Sequence, residues 1–329
     1  RDPAWRRGML HIKAGDVFEN RGKFDLALRL YEQARDINPH IANPWLCIGY
    51  QHELRGRRDK ALEAYEEARR IAPTSAEAPF RVCRVMVHEG RLDEAIEQGE
   101  KALETSASNI AARVWLGRAL IGKRRFADAR RYLKEALDLA VLYVAPYSEE
   151  RARILLDAAG RAAELGDRLD EVLRGRRKPS DAREAIAWAY LALRTGHYAT
   201  AVRLFDDVLG EAPGGPHHYT AACAAVRAGA GEGEGIEKFS EGTRRRWRSK
   251  AVDWLLADEA AKRAAFDADP IGLRQRTRLH CLRWHREPAL QTLREPEADD
   301  PDREKIVEFW DRVAVLADRH VATEAKAKN

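Results

Sequence analysis

The segment 45–73, WLCIGYQHELRGRRDKALEAYEEARRIAP, contains the pattern that determines the fold. The small residues Gly49 and Ala61 let two antiparallel helices approach closely, and the large Tyr65 fills the space beside them. Gly56 falls between the two helices, where glycine adopts a positive φ at little cost. Pro73 ends the second helix because proline cannot continue a helix interior. The segment therefore predicts one helical hairpin.

The pattern recurs at an offset of 34 residues. Five pairs share this offset: Gly15 and Gly49, Ala27 and Ala61, Tyr31 and Tyr65, Ala34 and Ala68, Pro39 and Pro73. Weaker copies continue downstream at Cys83, Ala95 and Ala102, and then at Gly117, Ala129, Leu133 and Ala136. Gly22 and Gly90 occupy the turn position of Gly56. The period and its residues resemble the tetratricopeptide repeat, which implies an all-α, right-handed superhelix of helical hairpins.

The repeat loses its phase after the fourth copy and returns at Ala189. The intervening sequence predicts an irregular fifth hairpin. We therefore divide the chain into four regular repeats (1–143), a degenerate fifth hairpin with one further repeat (144–215), and a helical C-terminal module with a glycine-rich loop at 229–242 (216–329).

A narrower resemblance covers residues 182–320. The segments 219–225 and 251–258, followed by Trp284, resemble the C-terminal module of planctomycete-type bacterial tetratricopeptide proteins. That module is often found downstream of a serine/threonine protein kinase domain. It usually contains His-Trp-Gln where this chain has Arg283-Trp284-His285. The resemblance implies a signalling protein. Because the sequence starts at Arg1 without a methionine, we expect it to be a fragment of a longer chain. In the alternative that this chain belongs to such a kinase, the catalytic domain would precede Arg1.

Composition limits the classes of function. Lys and Arg total 58 and Asp and Glu total 53, so the net charge is +5. Charged residues make up 34% of the chain, which is typical of a thin helical array with a large surface. No apolar run approaches the roughly 18 to 20 residues of a membrane-spanning helix. The four cysteines lie far apart without a Cys-x-x-Cys pair, which favours reduced thiols and a cytoplasmic location.

Three local motifs are weak candidates for a site. The glycines at 229, 231, 233 and 235 lack a preceding strand and alternate with acidic residues, so a flexible loop is favoured over a phosphate site. Cys281 and His285 provide only two possible metal ligands, and His280 points elsewhere, so we expect neither metal nor cofactor. The basic clusters 174–178 and 244–248 leave a nucleic-acid-binding solenoid as an alternative.

The remaining candidate is the concave face of the superhelix. Its predicted peptide-binding residues lie on one stripe of the first helix of each hairpin: Asp16, Glu19, Tyr50, Glu53, Phe80, Arg84, His88 and Arg118. Arg84 and Arg118 share a repeat position, which predicts adjacent cationic side chains and a partner with acidic segments. In this family, the clamp that binds the C-terminal carboxylate of chaperones needs Lys and Asn. This chain has Ile12, Asp16 and Cys47 at those positions, so we do not expect it to bind such a tail.

The sequence thus predicts a non-catalytic protein-interaction scaffold that binds a peptide or helix. It contains no glycine-rich nucleotide loop, His-Arg-Asp or Asp-Phe-Gly motif, so no catalytic residue is assigned. Two alternatives remain open: a fragment of a serine/threonine protein kinase, and a nucleic-acid-binding solenoid.

Overall fold

The computed structural model describes residues 3–19, 21, 23–165, 168–210, 214–215, 217–269, 281, 284, 287–294, 296 and 300–326. This part of the chain contains fifteen α-helices and no strands, which confirms the prediction of an all-α solenoid of hairpins. The turn residue Gly22 and the residues His280, Arg283 and His285 lie outside the described residues.

The helices pair along the chain as antiparallel hairpins. The first four pairs are α1 (Pro3–Glu19) with α2 (Phe24–Ile37), α3 (Ala42–Leu54) with α4 (Arg58–Ile71), α5 (Glu77–Glu89) with α6 (Leu92–Thr105), and α7 (Ile110–Gly122) with α8 (Phe126–Leu142). The later helices are α9 (Pro146–Leu165), α10 (Leu169–Leu173), α11 (Ala182–Arg194), α12 (Tyr198–Leu209), α13 (His218–Gly229), α14 (Glu241–Ala268) and α15 (Arg303–Lys326).

Close helix crossings explain the small residues of the repeat. A β-carbon added to Gly15 would lie 2.5 Å from Cε1 of Tyr31, and one added to Gly49 would lie 2.5 Å from Cε1 of Tyr65. Likewise, a β-carbon added to Gly117 would lie 2.6 Å from Cγ of Leu133. The large residue of each second helix therefore fills the space that the glycine leaves open.

The segment predicted to form an irregular fifth hairpin contains α9 and α10, which share few contacts with each other. Its first helix, α9, has 20 residues, whereas its second helix, α10, has only five. α9 packs against α8, α7 and α11. Ala152, Leu155 and Ala159 of α9 are buried. α9 therefore connects the fourth hairpin to α11.

The glycine-rich loop between α13 and α14 differs from the expectation of a free, flexible segment. The backbone N–H of Glu234 donates to the carbonyl of Gly196 at 3.0 Å, and His197 Nε2 lies 3.2 Å from the Glu234 carboxylate. Gly233 has φ +101° and approaches the Gly196 carbonyl so closely that a β-carbon would clash with it. Gly233 therefore allows the close approach of this loop to the α11–α12 turn.

Helices α3, α5, α7, α9 and α11 contact one another in succession, and we refer to them, together with α13, as the concave layer. A C-terminal segment returns to this layer: the 3₁₀ helix Pro288–Leu293 contacts both α13 and α3. The Gln291 amide donates to the carbonyl of Arg55, and the Arg294 guanidinium donates to the carbonyl of Leu54. α15 packs on α14. Among the described helices, none combines the length and the apolar character needed to cross a membrane.

Candidate functional site

The concave layer and the returning segment surround a cavity of about 430 Å³. Side chains from α3, α5, α7, α9, α11 and α13 line it, together with Glu287. Part of the lining is apolar and buried, notably Val114, Leu155 and Leu193. The size is typical of a pocket for a small molecule or a few peptide residues, which span roughly 300 to 1,000 Å³.

The polar lining of the cavity is dominated by arginine. Five arginines, Arg84, Arg118, Arg151, Arg194 and Arg227, face three glutamates, Glu53, Glu150 and Glu287. Such an excess of one charge in a concave, partly buried site favours a ligand of the opposite charge.

The structure brings six of the eight predicted residues to this cavity, namely Tyr50, Glu53, Phe80, Arg84, His88 and Arg118. The other two, Asp16 and Glu19, do not line it. Both carboxylates accept a hydrogen bond from the Tyr31 hydroxyl, at 2.8 and 3.2 Å, and Glu19 also accepts one from Gln51 at 2.6 Å. Glu19 is buried, so its role in the structure is to join hairpins one and two.

Glu53 and Arg84 form a buried ion pair at the edge of the cavity. Arg84 donates to both carboxylate oxygens at 2.8 and 2.7 Å, and the Tyr65 hydroxyl donates to Oε2 at 2.9 Å. Burial alone would lower the pKa of Arg84, but Glu53 raises it above its ordinary value. The Arg84 guanidinium also stands over the Tyr50 ring at 4.8 Å. Arg84 lines the cavity as a cation that Glu53 neutralises, so it does not contribute an uncompensated charge.

Arg118, Arg151 and Arg194 form no ion pair with any described residue. Arg118 and Arg151 stand over the ring of Trp115, with guanidinium carbons 4.8 and 4.5 Å from its centroid. The Nε atom of Arg194 is buried without a hydrogen-bond partner in the described part of the chain. Burial, followed by the charges of Arg194 and Arg151, lowers the pKa of Arg118 well below its ordinary value. Burial also lowers the pKa of Arg194 to about 10. We refer to these three residues as the arginine cluster.

His88 and Arg227 meet beside this cluster. The His88 ring packs against Trp115 with centroids 5.1 Å apart, and its Nδ1 lies 3.5 Å from Arg227 Nη2. Burial and the nearby Arg118 and Arg227 lower the pKa of His88 well below its ordinary value. Arg227 itself donates to the Tyr198 hydroxyl at 3.0 Å and to Glu232 at 3.2 Å. His88 is therefore neutral at pH 7, and Arg227 is satisfied within the chain.

Glu287 places a carboxylate in the cavity from the returning segment. It accepts a hydrogen bond from the Tyr219 hydroxyl at 2.8 Å. Burial would raise the pKa of Glu287, but the charges of Arg118 and Arg227 and this hydrogen bond lower it below its ordinary value. Glu287 is thus an internal anion that the cavity already holds in its ionised form.

Two of the cavity arginines were not predicted from the sequence, although the repeat pattern places them on the concave stripe. Arg194 lies five residues after Ala189 and Arg227 four residues after Cys223, the offsets that relate His88 to Cys83 and Glu53 to Gly49. Extending the concave stripe past the fifth hairpin would have found both. Arg151 lies where the phase is lost, and Glu287 comes from a segment outside the repeats.

The other candidate motifs stand apart from the cavity. Arg244 and Arg248 of the second basic cluster both pair with Glu241, at 2.9 and 2.7 Å. Among the described residues, no group of three His, Cys, Asp or Glu side chains could hold a metal ion. None of the four cysteines, all of them described, forms a disulfide, and burial raises the pKa of the Cys83 and Cys281 thiols to about 12.

Comparison with protein families identifies the repeated part of the chain. Models described as tetratricopeptide repeats match residues 12–76, 55–110 and 87–154. The chain therefore contains tetratricopeptide repeats from residue 12 to residue 154. This repeat is a fold of protein-interaction scaffolds.

Solved structures of tetratricopeptide proteins resemble the chain over part of its length. A MamA crystal structure shares 16% identity with a TM-score of 0.40, covering 61% of this chain and 93% of that one. The Pseudomonas aeruginosa protein PilF shares 20% identity with a TM-score of 0.37, covering 64% and 88%. YrrB, described as having an unusual peptide-binding site, shares 18% identity with a TM-score of 0.34, covering 46% and 84%. No curated protein matches the sequence.

Proposed function

We propose that this chain is a non-catalytic scaffold that binds an acidic peptide or helix of a protein partner on its concave surface. The observation that supports this proposal is the excess of arginine in the concave cavity, where the arginine cluster has no carboxylate partner within ion-pair distance in the described part of the chain. An acidic side chain of a partner would provide the missing counter-charge. Charge complementarity of this kind directs both the rate and the specificity of association.

The wider biological setting of the proposal depends on the resemblance of residues 182–320. It supports a regulatory or targeting role in a larger bacterial signalling protein, in the cytoplasm. The alternative under the same resemblance is a fragment of a serine/threonine protein kinase. Nucleic-acid binding is the weaker alternative, because two arginines of the basic cluster at 244–248 are already paired with Glu241.

Photo-cross-linking tests the location of the partner. A benzophenone amino acid at Phe80, which lines the cavity, should capture partner segments rich in Asp and Glu, identified by mass spectrometry. The matched control is the same substitution at Leu142, which is 70% exposed and does not line the cavity. Capture from Leu142 but not from Phe80 would contradict the proposal.

A further inference from the structure

The cavity contains more positive charge than the described residues neutralise. Arg84 is paired with Glu53 and Arg227 with Glu232, whereas the three guanidinium groups of the arginine cluster form no ion pair within the described part of the chain. Among the described lining carboxylates that no arginine pairs with, Glu287 is half-buried and faces this cluster, whereas Glu150 is exposed to water. Three cations therefore face one carboxylate inside the cavity, an excess of about two charges in a partly buried site.

Such an excess is costly unless a ligand compensates it. Uncompensated charges in a protein interior lose their hydration without gaining a partner. The buried, unpartnered Nε of Arg194 shows that hydrogen-bonding capacity is unused in the described site as well. Each guanidinium has five N–H donors in a planar fork that suits carboxylate and phosphate oxygens.

The apolar walls of the cavity indicate what the uncharged part of the ligand is like. Val114, Leu155 and Leu193 provide an apolar surface, and the Trp115 ring carries two of the guanidinium groups. An inorganic ion would leave this surface uncovered. A ligand with an apolar body would bury it and gain about 25 cal/mol for each Å² removed from water.

We propose that the cavity binds a small organic dianion, with its apolar body against Trp115 and its two negative charges between Arg118, Arg151 and Arg194. The inference goes beyond the proposed function because it needs no protein partner, so either proposal can fail without the other. A phosphate monoester and a dicarboxylate share this chemistry, and Glu287 is the internal example of a carboxylate held there.

Titration calorimetry with four probes tests the proposal at pH 7.5 and constant ionic strength. Phenyl phosphate is a dianion at this pH because its second pKa is near 6, whereas phenyl sulfate has nearly the same shape with one charge. Phthalate represents the dicarboxylates, and inorganic phosphate lacks the apolar body. We expect at least one of phenyl phosphate and phthalate to bind tenfold or more tightly than both phenyl sulfate and inorganic phosphate.

Variants locate the site. Arg118→Gln and Arg194→Gln should each weaken binding of the preferred dianion at least tenfold, whereas Arg176→Gln in the exposed basic turn should leave it unchanged. Melting curves establish that each variant is folded, and the comparison of phenyl phosphate with phenyl sulfate needs no variant. Equal binding of these two probes with no preference for phthalate, no binding of either organic dianion, or full binding by both cavity variants would overturn the proposal.

Discussion

The Tyr65 hydroxyl donates a hydrogen bond to Glu53 Oε2 at 2.9 Å, across the two helices of the second hairpin. One repeat earlier, the Tyr31 hydroxyl donates in the same way to Glu19 at 3.2 Å. In both repeats, the tyrosine of the second helix therefore binds a carboxylate that lies on the concave stripe of the first helix. Glu19 and Glu53 are thus bound within the chain, whereas the arginine cluster has no ion-pair partner among the described residues.

Replacement of Gly49 by alanine should destabilise the protein. The added β-carbon would lie 2.5 Å from the Tyr65 ring, so the hairpin must open. We expect a loss of about 1 to 3 kcal/mol in the free energy of unfolding, measured with urea. Gly160 in α9 is the control, because a β-carbon there meets nothing within 4 Å. Gly160→Ala should stabilise the helix by about 0.5 to 1 kcal/mol, and equal losses in both variants would refute the packing argument.

Two cavity arginines should respond oppositely to replacement by methionine. Arg84→Met removes the partner of buried Glu53 and should cost on the order of 3 kcal/mol. Arg194→Met removes a partly buried cation that lacks an ion pair in the described part of the chain, and should raise the stability of the ligand-free protein by about 1 kcal/mol. Thermal unfolding measures both. A loss of stability in Arg194→Met would show that its charge is compensated.

His88 should make the fold sensitive to acid. Its pKa is lowered in the folded state, so below about pH 6.5 the unfolded chain takes up a proton that the folded chain does not. This group therefore removes stability as pH falls from 7.5 to 5.5, by up to about 1.4 kcal/mol per pH unit below 6.5. His88→Phe keeps a ring against Trp115 and should lose less stability on acidification. His40→Phe, at an exposed position, should behave as the wild type, and an unchanged acid response in His88→Phe would refute this assignment.

The contact between the returning segment and hairpin two should depend on Gln291 and Arg294. Both donate to carbonyl groups at the end of α3. The double variant Gln291→Ala and Arg294→Ala should increase hydrogen exchange in residues 287–294 and in the last turn of α3, measured by mass spectrometry. Exchange in α6, to which neither Gln291 nor Arg294 donates a hydrogen bond that defines this contact, should stay constant. If the last turn of α3 keeps its protection, these two side chains do not hold the segment.

The repeat period predicts most of the fold because the packing inside each hairpin is between residues close in sequence. Gly49, Ala61 and Tyr65 define one unit, and their recurrence predicts the next. The same period located Tyr50, Phe80 and Arg118 on the concave side. It could not reveal that Glu53 neutralises Arg84, because that pair joins two hairpins through side-chain geometry. Nor could it place Glu287, whose position depends on a contact between segments more than 230 residues apart.

The affinity of the cavity for an acidic partner peptide tests the central claim most directly. The double variant Arg118→Gln and Arg151→Gln removes two charges from the arginine cluster, and Arg174→Gln with Arg176→Gln removes two from the basic turn at 174–178. With the acidic segment captured at Phe80 as the labelled probe, fluorescence polarisation should show at least a tenfold loss of affinity, about 1.4 kcal/mol, in the cavity variant alone. Loss in the turn variant with full affinity in the cavity variant would contradict the account.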